Sequence, residues 1–150
     1  MTGLELKSRE VGQHTDTIHF VSKNSAGNLL AVGGFSNQIK IWRVPEMVIK
    51  CELDPVKSGW LGEDEPEFLK WHPQGNLLLV GGGEDGLLWM VNGMNAESKG
   101  CLAGHSSKVI QAEFTKHDKG KSIISITIDH EMKGWNPRTG EAIWTIASEK

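Results

Sequence analysis

The sequence holds only two cysteines, Cys51 and Cys101, and neither has companions at a metal-ligand spacing. That argues against a zinc site and against a disulfide-stapled secreted fold, and both thiols are read as reduced and buried. The six histidines are scattered. His72 and His117 fall in turns and His19 in a strand, so no metal is expected. No run approaches the roughly 20 apolar residues of a membrane-spanning helix. The start, Met1-Thr2-Gly3-Leu4-Glu5-Leu6-Lys7, is too polar for a secretory leader. A soluble cytoplasmic chain is expected, with the nucleus as a second location. There is no P-loop and no G-x-G-x-x-G. Gly81-Gly82-Gly83 follows a strand but enters a hairpin, so neither a phosphate cradle nor a cofactor is expected. Sixteen basic against 19 acidic residues give a net charge of −3, which leaves no broad basic footprint for nucleic acid. No helical period is sustained over about twelve residues.

What is present is a repeat. Gly27-Asn28-Leu29-Leu30-Ala31-Val32-Gly33-Gly34 returns 48 residues later as Gly75-Asn76-Leu77-Leu78-Leu79-Val80-Gly81-Gly82. Self-similarity at this period signals stacked supersecondary units, which build partner surfaces more often than active sites. Each copy leads into a polar turn and a short strand: Ser36 to Trp42, Asp85 to Val91, and a third version from Asp129 to Trp135. Asp85-Gly86 suits a tight hairpin whose two central residues take positive φ. The strands between turns are rich in Ile, Val, Leu and Trp. An opening marker precedes two of the units, Gly104-His105 before Val109 and His14 before Ile18.

Gly-His, a strand, a Gly-bearing turn, a second strand, Asp, and a third strand ending in Trp: this order resembles the WD repeat. The resemblance implies an all-β propeller with four strands per blade and about 40–45 residues per blade. About three blades are expected, at residues 12–53, 60–102 and 103–147, with 139–146 as the outer strand of the third. Closed propellers have about 4–8 blades. The chain is therefore expected to be part of a seven- or eight-bladed ring, and an arc standing alone would expose apolar blade faces and self-associate.

In the WD family a His, a hydroxyl, an Asp and a Trp join in one buried hydrogen-bonded set. The resemblance carries that set onto His105, Ser125, Asp129 and Trp135 in the third copy. In the first copy it reaches His14 and Trp42 only, because Val32 and Ser36 take the other positions. In the second copy only Asp85 remains, with Val91 where the Trp stands and Val80 or Gly81 at the hydroxyl. Replacing all partners together with apolar groups is close to neutral, which accounts for such a loss. Ser, His and Asp also suggest a catalytic triad. However, no strand-to-helix elbow surrounds Ser125, so a structural role and no enzyme are expected.

Glu65-Pro66-Glu67-Phe68-Leu69-Lys70-Trp71-His72-Pro73, with Asp85-Gly86-Leu87-Leu88-Trp89-Met90, resembles a blade of the angio-associated migratory cell protein family. The final Trp of that blade is Val91 here. This resemblance implies a role in ribosome assembly, because a yeast relative is a chaperone for a large-subunit ribosomal protein. The run Glu63-Asp64-Glu65-Pro66-Glu67 would suit a basic client, and Trp60 beside it would supply an aromatic anchor. Trp89 is read as filling the gap between blades. A generic adaptor, in signalling or in presenting substrates to a ubiquitin ligase, is the alternative, as is a truncated chain with no function of its own.

Overall fold

A computed structural model describes residues 18–34, 38–54 and 66–148. His14, Ser36, Trp60, Glu63, Asp64 and Glu65 lie outside them. All regular structure among the described residues is β, and no helix there is long and apolar enough to cross a membrane. Twelve strands form three four-stranded antiparallel sheets, each a simple meander. The first blade is β1 (Ile18–Lys23), β2 (Leu29–Gly34), β3 (Ile39–Arg43) and β4 (Val48–Leu53). The second is β5 (Phe68–Trp71), β6 (Leu77–Gly81), β7 (Leu88–Asn92) and β8 (Ser98–Leu102). The third is β9 (Val109–Phe114), β10 (Ile123–Thr127), β11 (Met132–Asn136) and β12 (Glu141–Ile146). The first strands, β1, β5 and β9, lie side by side, so the sheets fan outward from them.

Blade 2 is buried on both faces, which explains its unbroken apolar run Leu77-Leu78-Leu79-Val80. Successive side chains of a strand point to opposite faces. Leu78 and Val80 meet Leu29, Ala31, Ile39 and Ile41 of blade 1. Leu79, Leu88 and Met90 meet Val109, Ala112, Phe114 and Ile123 of blade 3. A strand with two dry faces has no position left for alternation with polar residues. At the outer side of blade 3 the pattern reverses. Every residue of β12 is exposed, with Ile143 and Ile146 standing in solvent and the Trp144 ring lying over Gly134.

The repeated Val-Gly-Gly has a packing cause. Phe20 lies across from Gly33 and Phe68 across from Gly81 in the strand pairing. A Cβ on either glycine would come within 2.3 Å of the opposing phenyl ring. The ring fills the room that the missing side chain leaves.

The outer turns repeat as well, in a way the residue types hide. Residues 44–47, 93–96 and 137–140 each close by a bond of 2.8 Å from the last N–H to the carbonyl four residues back. The last residue is left-handed each time, as Met47 (φ 54°), Ala96 (φ 65°) and Gly140 (φ 75°). Only the third copy has the residue that takes this conformation without steric cost.

The loop at Asp85-Gly86 differs from the expected tight hairpin. Six residues, 82–87, separate β6 from β7, and Asp85 does not have positive φ. The Asp85 carboxylate instead accepts the Leu87 N–H at 3.0 Å, closing an Asx turn. Gly86 is left-handed (φ 73°), and a Cβ there would meet the carbonyls of Ser107 and His105 at 2.7 and 2.9 Å. The glycine is needed for its neighbour as much as for its own turn.

Candidate functional site: a closed polar relay between two charged ends

Strand pairing aligns the blades. Ile123 lies opposite Trp135 and Ser125 opposite Lys133. The same positions are Leu78 opposite Val91 and Val80 opposite Trp89 in blade 2, and Leu30 opposite Trp42 and Val32 opposite Lys40 in blade 1. The hydroxyl position of blade 2 is therefore Val80. Trp42 is buried on the face of blade 1 turned away from blade 2, beside Val32. Trp89 is half-buried against the cluster between blades 1 and 2.

In blade 3, His105, Ser125 and Trp135 meet on the face toward blade 2. The Trp135 indole N–H donates to Ser125 Oγ at 2.7 Å. His105 Nε2 lies 2.6 Å from the same oxygen, and His105 Nδ1 lies 2.5 Å from Glu131 Oε1. The proton order follows. Ser125 accepts from the indole, so its O–H donates to a bare Nε2, and the proton on Nδ1 goes to the carboxylate. The imidazole also stands edge-on to the indole, 5.6 Å between centroids. Burial pushes the His105 pKa below its usual 6.5, outweighing the opposing pull of the Glu131 hydrogen bond. A neutral ring is what the relay requires.

The carboxylate is Glu131, not Asp129. Thr127 N–H donates to the Glu131 carbonyl at 2.9 Å, and Glu131 N–H donates back to Thr127 Oγ1 at 3.1 Å. This pinch lifts residues 128–130 out as the turn, with His130 left-handed at φ 66°. Asp129 is carried to the exposed tip, and Glu131 remains at the base beside His105. The sequence offered two carboxylates two residues apart, and only the length of the pinch decides between them.

The relay is closed to chemistry. Ser125 is 1% exposed and its oxygen already bonds both the indole and the imidazole. A nucleophile needs room for a reacting carbon within about 3 Å, together with oxyanion donors. Around Ser125 Oγ the indole and the imidazole occupy those positions. Among the described residues no group of three or more His, Cys, Asp or Glu could hold a metal ion. Cys51 is half-buried, with its thiol 3.6 Å from the Gly93 carbonyl and its pKa pushed up, chiefly by burial. Cys101 is half-buried too, and both thiols are free.

Charge divides the arc into two ends. The loops 82–87 and 128–131 and the segments entering β5 and β9 share one end, where Glu67, Glu84, Asp85 and Asp129 are exposed. Glu67, the one described carboxylate of the acidic run, is bonded to Lys108, and Lys108 also reaches Glu84 at 3.4 Å. These carboxylates hold the Lys108 pKa above its usual value, the Glu67 hydrogen bond most of all. Glu67 thus ties the start of blade 2 to the start of blade 3. The opposite end carries the turns 24–28, 72–76 and 115–122. There the blades are joined by Asn24 Nδ2 donating to Asn76 Oδ1 at 2.8 Å, by Trp71 Nε1 donating to the Ser22 carbonyl at 3.0 Å, and by His72 Nε2 at 3.2 Å from the Gly120 carbonyl.

Known proteins with this arrangement fit the geometry. The WD40 repeats of RRP9 superpose with a TM-score of 0.78 at 16% identity, covering 93% of this chain and 41% of that one. The described residues fold as three WD40-type propeller blades. Residues 6–43 match the WD domain, G-beta repeat family. Protein tipD of Dictyostelium discoideum is 26% identical over 140 residues, which is 93% of this chain and 21% of tipD. The SIR4-interacting protein SIF2 of Saccharomyces cerevisiae is 33% identical over 61 residues, 41% of this chain and 11% of SIF2. The chain thus spans about a fifth and about a ninth of the lengths of these two curated relatives. WD40 repeats generally serve as scaffolds for protein interaction, and stacked repeats offer extended surfaces for it.

Proposed function

We propose that this chain is a non-catalytic scaffold that binds a basic protein at the acidic end of the arc. One observation carries the non-catalytic part: the Ser-His-carboxylate set is buried and consumed by Trp135. A buried hydroxyl already bonded on both sides stabilises two packed sheets rather than a transition state. The acidic end supports the choice of client. Exposed carboxylates there attract basic segments and speed their capture. The resemblance of 65–91 to a blade of the angio-associated migratory cell protein family narrows the client to a basic large-subunit ribosomal protein. The matching locations are the cytoplasm and the nucleus. Titration calorimetry with the basic terminus of such a protein, at low and at moderate salt, tests this. Micromolar binding that weakens with salt is expected, and no binding even at low salt would contradict it. An adaptor in some other complex is the second reading. It draws on SIF2, whose name marks it as a partner of SIR4, and on nothing in the acidic end.

A further inference from the structure

The end opposite the acidic loops carries two grooves that meet at His72. One, about 450 Å³, is bordered by Lys23, Lys116 and Lys119, and the other, about 650 Å³, by Lys119, Lys121 and Arg138. Both have His72, Gln74 and Lys119 in their walls, so they form one channel across the ends of blades 2 and 3, starting at blade 1. No carboxylate lines either part. The five cations are exposed, and none forms an ion pair with a carboxylate among the described residues. The nearest acid in sequence, Asp118, is occupied by its own turn. It accepts from the hydroxyls of Thr115 and Ser122 and from the Lys121 N–H, and the Thr115 bond chiefly holds its pKa below the usual carboxylate value.

The channel is stiff where it bends. His72 Nδ1 accepts the Gln74 N–H at 3.1 Å, which leaves Nε2–H to donate to the Gly120 carbonyl across the blade boundary. The ring packs edge-on against Phe114 at 4.9 Å. Lys119 is left-handed at φ 63°, held by bonds from Lys119 N–H to the Lys116 carbonyl and from Gly120 N–H to the Thr115 carbonyl. Backbone fixed in advance lowers the entropy lost when a ligand binds.

The geometry points to this channel as a binding site for an acidic peptide segment, run in extended form from blade 1 to blade 3. Five cations spread along a narrow track match successive carboxylates. Leu77 and Pro137 add apolar wall for a spacer residue. A nucleic acid fits less well. Base binding calls for exposed aromatic platforms, whereas Trp71 is 9% exposed and His72 has both ring nitrogens engaged. A long polyanion would also meet the net charge of −3.

The test is fluorescence anisotropy with a labelled hexaglutamate peptide and a hexaglutamine control, on the whole chain and on K119E/R138E. Both residues are exposed, and circular dichroism checks that the variant folds. Binding of the Glu peptide alone is expected. It should weaken as salt rises from about 50 to about 200 mM and fall at least about tenfold in the charge-reversed variant. An unchanged affinity in K119E/R138E, or no binding of hexaglutamate at about 50 mM salt, would overturn the assignment. Tighter binding of a single-stranded RNA oligomer than of the peptide would overturn the peptide in favour of nucleic acid. A dimer mass that K119E/R138E abolishes would give the channel to a second copy of the chain.

Discussion

Between blades 1 and 2, Val80 and Val91 hold the positions that Ser125 and Trp135 hold between blades 2 and 3. The first seam is apolar there and fully buried. The second is wired from Trp135 through Ser125 and His105 to Glu131. Both close the same kind of gap between sheets. A buried polar group is tolerated only with its partners, and removing the whole set costs little when the space is refilled. The apolar seam is fastened elsewhere, by Trp71 donating to the Ser22 carbonyl and by the Asn24–Asn76 pair. The wired seam has a second fastening as well, His72 to Gly120, and a third in Lys108 with Glu67 and Glu84. The relay is thus one of several fasteners between these two sheets.

Truncating the equivalent residues should break the symmetry most. Trp135→Ala removes a fully buried indole, leaves Ser125 short of a donor and takes the edge-on ring contact from His105, which should cost about 3–5 kcal/mol. Val91→Ala removes about two methylenes and should cost about 1.5–2.5 kcal/mol. Urea midpoints of the two variants compare the seams directly, and equal losses would mean that the relay adds nothing to packing.

Next in size is the hydroxyl. Ser125→Val copies blade 2 at one position only, strands an indole N–H and an imidazole nitrogen, and should cost about 2–4 kcal/mol. Placed in a His105→Leu background it should cost less, with a coupling of about 0.5–3 kcal/mol. Additive losses would show that the two residues do not act as a set.

The relay should also make stability pH-dependent. His105 is neutral in the folded chain, and burial holds its pKa below the 6.5 of an ordinary histidine. The unfolded chain takes up that proton first as pH falls. The contribution is therefore complete above about 6.5 and is lost as pH drops from there through the folded value. Denaturation midpoints measured across that window, against His105→Leu as reference, should show the slope in the parent and less of it in the variant.

The smallest effect is at the edge of the apolar seam, where Ala96 packs against the cluster. Ala96 is left-handed where its third-blade counterpart is Gly140. Ala96→Gly relieves that strain but adds freedom to the unfolded chain and removes one methyl contact, for a net gain of at most about 0.5 kcal/mol. A destabilised variant would show that the turn is not strained.

The blades were legible because strand periodicity and turn residues recur at a fixed spacing. The alignment of Trp42, Val91 and Trp135 follows from that spacing alone. The Glu131 carboxylate was not legible, because the choice between residues 129 and 131 depends on where Thr127 closes the turn. The Asp85-Gly86 loop was misread for a related reason: the pair reads as a hairpin, while the neighbouring segment 105–107 is what demands the glycine. The repeated left-handed turn end is hidden by Met47 and Ala96, which do not advertise positive φ. The basic channel is invisible to composition. Its cations come from blades 1 and 3, and the acidic loops at the other end cancel them in the net charge. Of the acidic stretch read as a partner surface, Glu67 turns out to be committed to Lys108.

The most direct test of the account is nitrogen-15 NMR of the His105 ring at neutral pH, assigned by comparison with His105→Leu. The relay predicts a neutral imidazole protonated at Nδ1 and bare at Nε2. A ring protonated at Nε2, or charged at both nitrogens, would contradict it.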